Sequence, residues 1–246
     1  IYGYYNGKEL GELWGYTSVG LAQSDEEMKE WLTSNKPNWG SKWQAGDVKY
    51  KDLTGEGEVT PGASTLENHG DLKRIGNNSP RYRVGLNLDA AWKGIDFSIF
   101  FQGVLKRDWM FDAGDPYFWG AGSGMWQAAC FEEHMDYWTP ENTDAYYPKP
   151  YFNETKNQQA QDAYMQKASY LRCKNIQLGY TLPTHITEKA GISNCRIYLS
   201  CDNLFTITGL SSVYDPEAFG SYDGYGTSGK TYPLQRTISV GVNLNF

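Results

Sequence analysis

The chain has 246 residues, enough to bury a sizeable core without disulfides. A net charge of −7 and a pI near 5.0 argue against a nucleic-acid partner, which would need a basic face. Mean hydropathy is −0.61 and no run of about 18 apolar residues exists, which excludes a transmembrane helix but not a membrane strand, where only alternate positions need be apolar.

In chain order, residues 10–21 are Gly-rich and aromatic and are predicted as a first strand. Ser24-Asp-Glu-Glu27 reads as a capping box, and Met28, Trp31 and Leu32 follow at helical spacing. Over residues 82–92, Tyr82, Val84, Leu86 and Leu88 alternate with Arg83, Gly85, Asn87 and Asp89. After a tight turn at Lys93-Gly94, residues 95–104 place Phe97, Ile99 and Phe101 on one side. Residues 170–182 set Ile176, Leu178 and Tyr180 against Asn175, Gln177 and Gly179. Residues 194–208 set Cys195, Ile197, Leu199 and Cys201 against Arg196, Tyr198, Ser200 and Asp202. The last strand, 236–246, sets Ile238, Val240, Val242, Leu244 and Phe246 against Ser239, Gly241, Asn243 and Asn245.

The connections alternate between short and long. Lys93-Gly94 and Pro183 to Ser193 are short; Ala22–Pro80, Leu105–Ala168 and Gly209–Gln235 are long. Outer-membrane barrels alternate in this way, with short periplasmic turns and long extracellular loops. With Phe246 in the periplasm, all three long loops fall outside. The chain starts at Ile1 with neither Met nor a signal-peptide pattern, so a removed leader or a longer parent protein is expected.

Two segments carry possible chemistry. Asp52-Leu-Thr-Gly-Glu-Gly-Glu58 resembles half an EF-hand loop, with Asp52, Thr54, Glu56 and Glu58 as candidate oxygen ligands for Ca²⁺. Ala63 stands where the bidentate acid would be, and a solvated acidic turn is the competing reading. The Leu105–Ala168 loop is dense in aromatic rings. Trp109, Trp119, Trp126 and Tyr146, with Asp215 from the next loop, are candidate substrate contacts, set against roles in knitting the loops or in an interfacial girdle. Cys195 and Cys201 lie roughly 20 Å apart along one strand and cannot pair. His69, His134 and His185 are scattered through loops without metal spacing, and no catalytic motif is present, so no enzyme activity is expected.

Several stretches together resemble the SusC/RagA family of TonB-linked outer-membrane proteins: Gly11-Glu-Leu-Trp-Gly-Tyr16, Gly46-Asp-Val-Lys-Tyr-Lys-Asp-Leu53, Gly94 to Gly103, Tyr137-Trp-Thr-Pro-Glu-Asn142, Ser169 to Tyr180, Asp202-Asn-Leu-Phe205, Tyr214-Asp-Pro-Glu217 and Tyr232 through Phe246. The resemblance implies an all-β fold, an antiparallel transmembrane β-barrel of about 22 strands. Residues 1–246 would supply its C-terminal section of six strands, without the N-terminal plug. It implies TonB-dependent import of nutrient oligomers, oligosaccharide or peptide, with glycan favoured by the aromatic loops. A SusD-like surface lipoprotein would serve as lid, with TonB and outer-membrane lipid as further partners. Arg196, Tyr198, Asp202, Asn243 and Asn245 would face the lumen, and Phe246 would be the signal to the insertion machinery. The rival is a soluble secreted β-sandwich that binds carbohydrate, in which Ile238, Val240 and Val242 pack on a second sheet; a secreted glycosidase is a third reading.

Overall fold

The computed structural model describes residues 1, 3–123, 129–218 and 232–246. The elements run β1 (Glu12–Gly15), β2 (Ser18–Leu21), α1 (Asp25–Trp31), β3 (Lys36–Pro37), β4 (Val48–Tyr50), β5 (Glu58–Val59) and β6 (Lys73–Asn77). Then come β7 (Arg81–Trp92), β8 (Ile95–Lys106), β9 (Asp108–Trp109), β10 (Gln166–Thr181), α2 (Thr184–Thr187), β11 (Asn194–Gly209) and β12 (Thr237–Asn245).

Five long strands make one antiparallel sheet in the order β12-β11-β10-β8-β7, with β9 extending the pairing of β10. β7 and β8 are joined through Lys93 (φ 46) and Gly94 (φ 85). Two successive left-handed residues make the type I′ geometry that matches strand twist. A Cβ at position 94 would lie 2.9 Å from the Thr181 carbonyl oxygen, so glycine is required there twice over. The pairing slips between Cys173 and Asn175, opposite Asn203 at φ 51. This bulge bends the sheet and lets the alternation resume on the same face beyond it.

The register aligns side chains in continuous rows. Trp92, Ile95, Tyr180, Ile197 and Val242 are neighbours across all five strands, and so are Ala90, Phe97, Leu178, Leu199 and Val240. This apolar face is open: Trp92 is 68% exposed and Val240 75%. The opposite face carries Asp89, Ser98, Gln177, Ser200 and Ser239 in one row. Ile238, Val240 and Val242 are exposed and meet no second sheet among the described residues, where the β-sandwich alternative places them in a core.

The buried core lies elsewhere, in the long connections. Tyr16 and Tyr50 from the segment before β7, Phe111, Phe118 and Tyr164 from the β8–β10 connection and Tyr214 from the β11–β12 connection form one cluster. The segment before β7 and the β8–β10 and β11–β12 connections all meet the sheet at the same end, where they fold together as a cap.

The expectation of one long strand over 10–21 is corrected. The segment breaks into β1 and β2, which pair with β6 and β4 and never join the main sheet. Gly11 (φ 79) and Gly20 (φ 100) take left-handed backbone that a regular strand does not allow, and a bulge falls between Leu13 and Trp14. Within the same connection, α1 forms as the capping pattern predicts: the Ser24 hydroxyl accepts from the Glu27 N–H at 3.1 Å, and Met28 is buried. The Glu27 carboxylate accepts from the N–H of Gln23 and not of Ser24, one residue short of a full capping box.

Candidate functional site

The cap is held by buried polar clamps between its segments. Lys156 is 2.9 Å from Asp47, and both side chains are buried. The Lys156 ammonium also donates to the Lys42 carbonyl at 3.0 Å and lies 4.0 Å from the centre of the Tyr151 ring. Asp47 accepts in addition from the Gln44 N–H and the Asn157 side-chain amide, both at 2.8 Å. Asp115 accepts from the N–H groups of Tyr117 and Phe118 and from the Tyr214 hydroxyl at 2.7 Å. Burial pushes the Asp115 carboxyl above its ordinary pKa, although these donors oppose the shift. The Tyr214 ring stacks on Phe111 at 4.1 Å, so this one residue joins the last two loops.

A cavity of about 310 Å³ opens in the cap, bounded by the rings of Trp119, Tyr137, Tyr147 and Tyr151. Polar groups from His134, Lys149, Glu154, Asn157 and Gln158 complete its wall. The short 3₁₀ turn Gly120–Gly122 brings the chain against His134; a Cβ at Gly120 (φ 56) would lie 2.6 Å from the imidazole Nδ1. That Nδ1 accepts from the Phe131 N–H at 3.0 Å, which puts the proton of the neutral ring on Nε2. Nε2 is buried and has no partner among the described residues. Gln158 braces the wall by donating to the Gly122 carbonyl at 2.5 Å and accepting from the Gly114 N–H at 2.7 Å. The volume falls at the lower end of small-ligand sites, about 300–1,000 Å³, and flat rings with a few polar groups suit a ring-shaped polar solute.

The candidate contacts separate. Trp119 lines this cavity. Trp109 is buried in the core cluster with the Arg107 guanidinium 4.9 Å from its ring centre. Tyr146 is partly exposed on another groove of the cap, where its hydroxyl accepts from Gln166 at 2.8 Å. Trp126 lies outside the described residues. Asp215 is turned inward: Arg172 reaches it at 2.7 Å, and the N–H groups of Glu217 and Leu234 donate to its oxygens. Beside it Glu217 meets Lys174 at 2.9 Å and Arg172 at 3.5 Å. Arg172, Lys174 and Glu217 have no role in the sequence reading; the signal was present as opposite charges in two of the quoted stretches, Ser169 to Tyr180 and Tyr214 to Glu217.

Arg196, Tyr198, Asp202, Asn243 and Asn245 share the polar face of the sheet. Arg196 donates to Asp96 at 2.9 Å and to Gln177 at 3.0 Å, and its guanidinium lies 5.0 Å from the Tyr198 ring centre. Asp202 accepts from Asn175 at 2.7 Å. Phe246 is 86% exposed beyond the end of β12.

The acidic turn folds around a carboxylate. Asp52 accepts from the N–H groups of Thr54, Gly55 and Gly57 at 2.8, 2.7 and 2.6 Å, and from the Thr54 hydroxyl. Burial would raise its pKa, but these donors together hold the carboxyl below the usual range. Glu56 and Glu58 are exposed, and among the described residues no group of three or more acids, histidines or cysteines is placed to hold a metal. One Asp52 oxygen takes three of these hydrogen bonds and the other takes one.

No family model matches the chain. It is 28% identical over 247 residues to TonB-dependent receptor P3 of Formosa agariphila, covering 98% of this chain and 22% of that protein. TonB-dependent receptor P26 of the same organism is 26% identical over 208 residues, covering 82% of this chain and 20% of the relative. Among solved structures, the RagAB peptide transporter aligns with TM-score 0.58 and 21% identity over 96% of this chain and 22% of that one. The RagAB peptide importer in its open-open state gives TM-score 0.58 at 21% identity over the whole chain. The chain thus spans about a fifth of the length of these curated relatives, and its fold is that of part of an antiparallel β-barrel. The relatives are TonB-dependent receptors, proteins of the bacterial outer membrane, and this sheet is a piece of an outer-membrane barrel wall.

Proposed function

We propose that the chain supplies wall and extracellular cap to an outer-membrane importer of nutrient oligomers, driven by TonB and working with a SusD-like surface lipoprotein. The observation that carries this reading is the two-faced sheet, apolar and open across five strands on one side and polar on the other. Such a face is stable only against lipid, and the polar face then borders an aqueous lumen. On this reading Arg196, Tyr198, Asp202, Asn243 and Asn245 line the path, Phe246 ends the last strand as the insertion signal, and no step changes the cargo chemically.

The cap cavity is the proposed first contact for cargo, with Trp119 as its stacking platform. Oligosaccharide is favoured because the wall offers ring faces interleaved with side-chain amides. The lipoprotein would close over the cap, and TonB would act through parts of the protein outside the compared span. In cells, uptake of labelled oligosaccharide is expected to vanish when either the full-length protein or TonB is removed. Uptake that survives loss of TonB overturns the importer, and uptake of peptides alone overturns the choice of glycan.

A further inference from the structure

The polar face of the sheet carries a built row near the tight hairpin, at the end away from the cap. Asp96, Gly179, Tyr198 and Gly241 are neighbours across β8, β10, β11 and β12. Neither glycine takes left-handed backbone, so it is space and not conformation that calls for them. A Cβ at Gly241 would lie 2.6 Å from the Tyr198 ring carbon Cε1, so the ring is laid down across β12. A Cβ at Gly179 would lie 2.5 Å from Arg196 Nη2 and 2.6 Å from Asp96 Oδ1, so this ion pair lies across β10 in the same way.

The charges in this row are spent on each other. Arg196 donates from Nε to Asp96 at 2.9 Å and from Nη2 to Gln177 at 3.0 Å, and its guanidinium lies 5.0 Å from the Tyr198 ring centre. The Asp96 side chain is 36% exposed and that of Arg196 22%, and Tyr198 is half-buried. What remains is one side of an aromatic ring with a rim of planar polar groups whose charges cancel. The C–H faces of a pyranose pack on such a ring, and its paired hydroxyls match a carboxylate, a guanidinium or an amide that offers two atoms in one plane. A charged ligand finds no excess of opposite charge here. An extended peptide finds few main-chain partners, because β10 and β11 are already paired on both sides.

We infer that Tyr198, framed by Arg196, Asp96 and Gln177, stacks against a neutral pyranose ring of the cargo at the end of the lumen far from the cap cavity. The inference rests on the importer reading, which puts this face in the lumen. Binding is measured on the full-length protein in detergent without TonB, so failure here and failure of TonB-dependent uptake are told apart.

Calorimetric titration with maltohexaose, cellohexaose, xylohexaose and mannohexaose is expected to show binding of at least one of them. For that sugar, Tyr198→Ala is expected to weaken affinity about tenfold and Tyr198→Phe less than about threefold. Gly241→Ala keeps the ring but stands it off the strand, and is expected to weaken binding as Tyr198→Ala does. Ser239→Ala, two positions along β12, is expected to change nothing. Heat-modifiable migration on gels reports whether each variant is folded; where Tyr198→Ala is not, Gly241→Ala and Tyr198→Phe decide. Binding of none of the four sugars, or unchanged affinity in folded Tyr198→Ala or Gly241→Ala, overturns the inference. Tighter binding of hexagalacturonate than of every neutral sugar overturns it as well. Unchanged sugar affinity with raised ion conductance of Tyr198→Ala in planar bilayers overturns it by assigning the ring to another part of the full-length protein packed in the lumen.

Discussion

At the scale of single residues, the clamp from Arg172 to Asp215 ties the last loop to the sheet. The side chains are 4% and 7% exposed, so removing one partner strands the other in a poorly solvated place. Arg172→Gln is therefore expected to cost about 3–5 kcal/mol, read as a lower thermal midpoint and faster proteolysis around residues 211–218. The clamp also sets a pH window. Burial alone would raise the Asp215 pKa, but the Glu217 N–H, the Arg172 side chain and the Leu234 N–H together bring it below its ordinary value. A depressed acid contributes stability above its unfolded pKa, about 3.9, and loses it as pH falls through the lower folded value. Amide protection at Glu217, corrected for intrinsic exchange, is expected to be constant from about pH 7 to 5 and to collapse below about pH 4. The opposite charges stand in the sequence but their pairing was not legible in advance, because ion pairs between residues 43 positions apart leave no periodicity.

At the scale of elements, the strands of the sheet were readable because a period of two survives in any strand with unlike faces. The cap elements were not. β3 and β5 are two residues long, and β4 is three; they exist through pairing with distant partners, as Tyr16 does with Gln161. The aromatic richness of the loops was visible, but not the division of its rings: Trp109 and Phe111 fill the core while Trp119 borders the cavity. The bulge gives a test of element geometry. Asn203 holds φ 51, which asparagine tolerates and a β-branched residue does not. Asn203→Val is expected to cost about 1–2 kcal/mol and Asn203→Gly much less, compared by thermal midpoint in detergent.

At the scale of the whole molecule, the sheet has an apolar and a polar face, which the importer reading assigns to lipid and to water, and two adjacent positions on β12 tell them apart. Val240 sits in the apolar row and Ser239 in the polar one. Val240→Arg is expected to destabilise the inserted protein by about 2–4 kcal/mol if it lies near the bilayer midplane, and Ser239→Arg to be tolerated. The fraction of heat-modifiable protein in outer-membrane preparations reads both; equal tolerance would remove the membrane orientation.

The burial pattern described above also fixes an order of events. The cap core draws on segments as far apart as Ser18 and Asp162, whose backbone–side-chain bond spans 144 positions. Those segments become neighbours only once β7, β8 and β10 stand in register, since loop closure over such separations is slow and unrewarded until the strands between are fixed. On the importer reading, the loops are therefore expected to reach the cell surface as open chain and to condense there last. On the importer reading, a stage with a finished wall and an unformed mouth is the one at which the protein would be most open to surface proteases.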